Sequence, residues 1–269
     1  GDGTMITLLM ACLAMLPPPA KQEPLVVPHR GLLGHAPENT LANFRACLEL
    51  GMGFEFDVQR SKDGALVCIH DDTLDRTTNG KGRVADMPLA SIRELDAGAW
   101  FNTRFKGEKV PTVEEVLSLV GAHRHKGVLV AVDLKAAQVE AEVAAMAAKA
   151  GALEKLVFIG RAISEPAVRA NIMKQCPKAA CAALANTPAD FDAALTAADA
   201  SWVYFRFIPT PGLMERVHKA GRKGFIAGVT VAGVEPANWK AAAAAGIDGL
   251  LTDHPLEFHE TLRPSRPKP

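Results

Sequence analysis

From Leu25 onward, short apolar runs rich in β-branched residues alternate with stretches whose apolar positions recur every three or four residues. This alternation predicts parallel strands joined by helical crossovers. The strands fall at Leu25–Arg30, Phe54–Val58, Leu66–His70, Val128–Lys135, Leu156–Gly160, Ala180–Leu184, Trp202–Phe207, Gly224–Val229 and Gly249–Thr252. Helices open near Thr40, Thr112, Val139, Glu165, Pro188, Pro211 and Pro236. Thr112 and Glu115 form a capping box ahead of Val116, Leu117 and Val120 at helical spacing. Thr210 caps a helix with Pro211 in its first turn, and Gly221 closes it. Leu41, Phe44 and Leu48 share one apolar face. The strand count is one more than a (β/α)8 TIM barrel holds, and the gap from Val58 to Leu66 is too short for a helix. Either that link is a bare extended return, or Leu66–His70 is not a full barrel strand. Asp71 to Val110, rich in Gly, Thr and Asn, shows no barrel period and reads as an insertion on the rim. The fold expected is an α/β (β/α)8 TIM barrel with a rim insertion.

Length fits this picture, since 269 residues is close to the roughly 250 typical of one such barrel. Thirty basic side chains balance thirty acidic ones, which argues against nucleic acid as a partner but leaves room for a small anionic ligand. The five cysteines show no zinc spacing, and Cys47 and Cys68 sit in apolar runs as small core residues. Met5 to Leu16 is a twelve-residue apolar run, too short to span a bilayer but suited to a signal-peptide core. No basic residue precedes it and Asp2 does, while Leu9-Met10-Ala11-Cys12 loosely resembles a lipoprotein cleavage box. The division expected is a signal peptide or N-terminal extension at 1–24, a barrel at 25–260 and a tail at 261–269. With a signal the protein is exported, periplasmic or secreted; without one it is cytoplasmic. No stable membrane insertion of the mature protein is expected.

The chemistry lies in strand parity. Successive side chains point to opposite faces, so Glu55 and Asp57 share one face and Phe54, Phe56 and Val58 the other. In a barrel the apolar face packs outward on helices, which turns the two carboxylates inward. Val128 to Lys135 repeats the parity, with Asp133 and Lys135 facing in. Three buried carboxylates require a compensating cation, and an all-oxygen set suits Mg2+ or Ca2+. The alternative is a Lys135–carboxylate network without a metal. His29 and His70 each end an apolar run beside this cluster, suiting general acid/base work near neutral pH. Arg30 and Lys135 suit phosphate oxygens.

These residues belong to an ordered series: His29-Arg30-Gly31, Pro37-Glu38-Asn39-Thr40, Glu55-x-Asp57, Asp63-Gly64, His70-Asp71, Arg76-Thr77-Thr78, Gly80-x-Gly82 and, near the end, Leu251-Thr252-Asp253. Over about Val26 to Pro255 the chain resembles the glycerophosphodiester phosphodiesterase family. The resemblance implies a phosphodiester of glycerol 3-phosphate as the reacting group, one divalent cation on Glu55 and Asp57, and His29 and His70 as acid and base. Asp133 stands where the family more usually has Glu. Sphingomyelinase D-type enzymes resemble the chain more at that point, but lack the His-Arg-Gly and Glu-Asn-Thr pattern. Ala227-Gly228-Val229-Thr230 replaces a common aromatic before the Thr, and Gly160-Arg161-Ala162 replaces a common Ser-Phe. Both departures bear on the alcohol that the phosphate carries.

The remaining candidates divide. Glu38 is either a partner of the metal or a histidine, or a loop carboxylate ahead of a helix. Thr40 reads as a helix cap, Asn39 as a loop-shaping residue, and Arg76, Thr77 and Thr78 as ordering the insertion. Arg161 and Arg206, near strand ends, either hold an anion or form ion pairs, while His123 and His125 lie on the opposite rim. The activity expected is metal-dependent hydrolysis of a glycerophosphodiester, by water or through a cyclic phosphate. The rivals are a lysophospholipase D-like enzyme, which needs an apolar approach surface such as Trp100, Phe101 and Phe105, and a non-catalytic barrel binding phosphorylated ligands.

Overall fold

The computed structural model describes residues 23–125 and 127–263. The expected signal segment Met5–Leu16, Cys12 within it, and residues 264–269 lie outside the described residues.

The first half contains β1 (Leu25–Pro28), α1 (Leu41–Glu49), β2 (Phe54–Arg60), β3 (Leu66–Cys68), α2 (Leu89–Glu94), α3 (Val113–Ala122), β4 (Val130–Leu134) and α4 (Glu140–Lys149). The second contains β5 (Leu156–Gly160), α5 (Arg161–Ser164), α6 (Pro166–Gln175), β6 (Ala182–Ala185), α7 (Phe191–Thr196), β7 (Trp202–Phe205), α8 (Pro211–Lys219), β8 (Lys223–Ile226), α9 (Val229–Ala232), α10 (Pro236–Ala245), β9 (Gly249–Thr252) and α11 (Pro255–Leu262). The predicted starts of α1, α3 and α8 hold: the Thr40, Thr112 and Thr210 side chains accept from backbone N–H groups of Asn43, Glu115 and Leu213. The capping box at Thr112 is complete.

The surplus strand is β3, which pairs antiparallel with β2, Val58 opposite Cys68. The short link after Arg60 can only fold back, so Leu66–His70 shrinks to a three-residue flap outside the barrel. The other eight strands follow TIM-barrel order. Parallel ladders join β2, β4 and β5, and separately β6, β7, β8, β9 and β1. The Phe158–Cys181 bridge links β5 to β6, and β1 lies beside β2 without a ladder.

Parity builds two concentric cores. Phe54, Phe56, Val58, Val130, Val132 and Leu134 face the helices, where Phe44 stacks on Phe54 at 4.1 Å between centroids. Val27, Ala131, Val157, Tyr204, Phe225 and Leu251 fill the inside. The insertion has its own small core of Ile69, Leu74, Val84, Ile92 and Val110. Cys47, Cys68, Cys176 and Cys181 are free and buried. The expected strand to Val229 stops at Ile226, because Gly228 turns to φ +106° and α9 begins. Among the described residues no helix is long and apolar enough to cross a membrane.

Candidate active site

Active sites of such barrels lie at the C-terminal ends of the strands, and Glu55, Asp57 and Asp133 meet at that end. The parallel register sets Asp57 directly opposite Asp133, with Glu55 two residues earlier on the same face. Glu55 and Asp57 are 1% and 0% exposed. Ligand oxygens of the three lie within 4.8 Å of one another.

Each carboxylate has one oxygen held and one left over. Glu55 Oε2 accepts from the Arg30 backbone N–H at 2.8 Å. Asp57 Oδ2 accepts from Asn39 Nδ2 at 2.8 Å, and Asp133 Oδ2 from Lys135 Nζ at 2.8 Å. The other oxygens, Glu55 Oε1, Asp57 Oδ1 and Asp133 Oδ1, are buried without a hydrogen bond. Lys135 Nζ also lies 3.2 Å from Asp57 Oδ1, an ion pair without hydrogen-bond geometry. Burial pushes the Glu55 carboxyl well above the usual range, and the charges of Asp57 and Asp133 push it further. Burial also raises Asp133, against the opposing pull of Lys135. Lys135 is raised too: burial works against its charge, but Asp133 and Asp57 outweigh it. Two buried carboxylates and a half-buried third, with the Lys135 ammonium and the Arg30 guanidinium (Nε 3.7 Å from Asp57 Oδ2) beside them, thus keep three oxygens without hydrogen bonds. This donor set suits a hard divalent cation with oxygen ligands.

The scaffold makes room for this cradle. A Cβ at Gly160 would collide with Asp133 Oδ1, and φ there is +66°. Arg30 and Asn39 are non-glycine residues with positive φ, 54° and 53°, a conformation held only where surroundings enforce it. It aims the Arg30 N–H at Glu55. Asn39 meanwhile bonds both the carboxylate of Asp57 and, through Oδ1, its backbone N–H at 3.2 Å. Asn39 thus substitutes for the missing ladder between β1 and β2, a role beyond the loop-shaping expected.

His29 and His70 stand beside the cradle, each with Nδ1 against a carboxylate. His29 Nδ1 lies 2.6 Å from Asp253 Oδ1, and His70 Nδ1 lies 2.8 Å from Asp71 Oδ1. Such a contact fixes the tautomer and leaves Nε2 to work. The motifs alone give Asp71 and Asp253 no role. One adjoins its histidine; the other needs barrel closure, which sets β9 beside β1, to be found. Arg76 donates to both Asp71 oxygens and to both Glu38 oxygens, and Glu38 accepts also from Arg30 Nη1 at 3.2 Å. Hydrogen bonds from Arg76 hold the Asp71 carboxyl far below the usual range. Glu38 is therefore a buried partner of two arginines, and Arg76 ties the insertion to the site. Asp253 is lowered as well, because the bond to His29 and nearby positive charges exceed its burial.

Thr77 and Thr78 are buried, and Thr78 Oγ1 donates to Leu74 O at 2.6 Å, so they order the insertion. Arg161 is bidentate to Glu165, whereas Arg206 lies over the Tyr204 ring. His123 and His125 sit after α3 with rings 5.1 Å apart. Trp100 packs edge to face on Phe101 and Phe101 on Phe105, which leaves Trp100, at 40% exposure, as the exposed member of the row. A cavity of about 860 Å3 lies at the opposite end, against the strand starts Leu25, Trp202 and Lys223 and far from this chemistry.

Known proteins resemble this chain in sequence and fold. A glycerophosphodiester phosphodiesterase of Caldanaerobacter subterraneus is 51% identical over 112 residues, 41% of this chain and 45% of that protein. The chain matches less than half the length of several such curated relatives. The crystal structure of glycerophosphodiester phosphodiesterase from Agrobacterium tumefaciens superposes with a TM-score of 0.75 at 30% identity, covering 88% of this chain and 99% of that one. An Oleispira antarctica phosphodiesterase, solved with the product sn-glycerol-3-phosphate, shares the fold with a TM-score of 0.72 at 24% identity, covering 89% and 97%. The model of the glycerophosphoryl diester phosphodiesterase family matches residues 29–257, from the first site histidine to a point beyond Asp253, and the chain belongs to that family.

Proposed function

We propose that this barrel hydrolyses glycerophosphodiesters to glycerol 3-phosphate and an alcohol. The observation that carries the reading is a cradle of three carboxylates with ligand oxygens within 4.8 Å of one another, each with one oxygen that accepts no hydrogen bond, flanked by two histidines each anchored through Nδ1. Glu55, Asp57 and Asp133 would hold one divalent cation, Mg2+ or Ca2+. Such an ion, when bound, neutralises charge building on a phosphate oxygen and acidifies a neighbouring hydroxyl. Arg30 and Lys135, 3.7 and 3.2 Å from the Asp57 carboxylate, would bind the remaining phosphate oxygens. One histidine takes a proton at Nε2 from the attacking oxygen; the other gives one from Nε2 to the departing alkoxide. Asp253 and Asp71 hold the rings in the tautomer this needs, and stabilise whichever imidazole is protonated. The product seen in the Oleispira structure is the one this reaction would release.

The test is release of glycerol 3-phosphate from several glycerophosphodiesters, by chelator-treated protein with and without added Mg2+ or Ca2+. Release that depends on the added ion is expected. Undiminished turnover in the presence of chelator would refute the metal cradle, and no release from any diester would refute the reaction.

A further inference from the structure

Beside the cradle, on the side of β4, β5 and β7, lies a hollow of about 360 Å3. Its walls include Lys135, Gly160, Arg161, Ser164, Tyr204 and Arg206, and Asp133 stands at its inner edge. A phosphate over the cradle would place one of its two alcohols here. Glycerol is common to every substrate of the proposed reaction and carries no charge, so a wall that recognises charge reads the other alcohol.

The wall is cationic. Asp133 and Lys135 neutralise one another at 2.8 Å, and Arg161 is matched by Glu165 through bonds of 2.9 and 2.7 Å. Arg206 has no acidic partner and no side-chain hydrogen bond among the described residues. Its guanidinium sits 5.0 Å from the Tyr204 ring centroid, a stacked position that leaves its N–H edge free. Gly228 keeps that position open, since a Cβ there would come within 2.9 Å of Arg206 Nη1. Tyr204 is 4% exposed, and its hydroxyl has no hydrogen-bond partner among the described residues. A guanidinium edge on the exposed Arg206 and the Tyr204 hydroxyl, neither bonded to the protein among the described residues, therefore line one small space. A quaternary ammonium would find the reverse of what it needs: the aromatic face in the hollow is already covered by a cation.

We propose that the departing alcohol carries an oxyanion, a phosphate or a carboxylate, received by Arg206 and the Tyr204 hydroxyl. The inference rests on the reading of the cradle as a glycerophosphodiesterase site.

One alcohol skeleton in three forms tests it. The substrates are glycerophosphoglycerol, its terminally phosphorylated form, and glycerophosphoglycerate, with glycerophosphocholine as the cationic comparison. The wild type is expected to show higher kcat/KM for an anionic form than for the neutral one, and lowest for choline. Arg206→Gln should cut the anionic-to-neutral ratio about ten-fold or more, the size of one charge-assisted hydrogen bond. Arg206→Lys should keep part of that ratio. Preference for phosphate over carboxylate, or the reverse, identifies which oxyanion is read. Equal cleavage of neutral and anionic forms, or a parallel loss on both in Arg206→Gln, overturns the inference while leaving the reaction intact. Cleavage of none of the four by the wild type overturns the reaction and the inference together.

Discussion

At the residue scale, function rests on how each polar group is divided between structural bonds and free capacity. The histidines spend Nδ1 on Asp253 and Asp71, so removing the imidazole should remove proton transfer while the barrel remains folded. His29→Ala and His70→Ala are each expected to lower kcat by roughly 10²–10⁴-fold with the circular dichroism spectrum unchanged; near-wild-type turnover in both would take them out of the mechanism. Asp133 divides itself likewise, one oxygen to Lys135 and one to the cradle, in a space bounded by the bare Cα of Gly160. A longer carboxylate there reaches further and favours direct, irregular ligation, which Ca2+ tolerates better than Mg2+. Titrating both ions into chelator-treated wild type and Asp133→Glu should show Mg2+ preferred by the first and the preference moved towards Ca2+ in the second. An unmoved preference would disprove this account of Asp133. The cradle was legible in sequence because strand parity is strict: Glu55, Asp57 and Asp133 had to share a face. The bond from His29 to Asp253 was not, since it joins residues 224 apart and depends on closure of the barrel.

At the element scale, the informative feature is the seam between β1 and β2. The two strands lie side by side without a ladder, and the loop between β1 and α1 fills the gap with the Arg30 N–H and the Asn39 side chain. The site and the seam are thus one object. Asn39→Gly retains the freedom to take φ of 53° but strands the buried Asp57 N–H and removes a donor from its carboxylate. A loss of about 1–3 kcal/mol in urea unfolding is expected from the stranded donor. A steeper ion dependence of activity should accompany it, because the Asp57 carboxylate is no longer held. Stability within about 0.5 kcal/mol of wild type would mean that Asn39 does not close the barrel. Most elements were readable from apolar period and caps, as at Thr112 and Thr210. The identity of β3 was not, because a three-residue return has the same apolar signature as a barrel strand. Nor were α5 and α9, whose four residues are too few to show a helical period; α11, though longer, lay beyond the last predicted strand.

At the scale of the whole molecule, the buried carboxylates at the centre tie stability to pH and to the ion. Glu55 is raised above the ordinary glutamate value of 4.5 by burial and then by Asp57 and Asp133, and Asp133 is raised in the same direction. A carboxyl with a raised folded-state pKa binds its proton more tightly folded than unfolded. Ion-free protein therefore loses stability as pH climbs from 4.5 through the raised folded value. Asp71, depressed by Arg76, works the other way below the ordinary aspartate value of 3.8, outside that window, while His123 and His259, lowered by burial, work the other way inside it, so the carboxylates are read from the difference between wild type and Glu55→Gln. A divalent ion reverses the slope, since it binds the deprotonated carboxylates and only in the folded barrel. At a hundred times its Kd it adds about 2.7 kcal/mol, or about 5–10 °C in Tm for a domain of this size. Thermal unfolding from pH 4.5 to 8 should then show, in chelator, a Tm that falls with rising pH relative to that of Glu55→Gln. With Mg2+ or Ca2+ the increment in Tm should be near zero at the acid end and grow towards neutrality. Glu55→Gln should flatten both curves, because the neutral amide has no proton to lose and no charge for the ion to meet. A chelator curve of the same slope in wild type and Glu55→Gln, together with an ion increment independent of pH, would show that the carboxylates are neutralised from within the protein by Lys135 and Arg30, and that the cradle needs no cation.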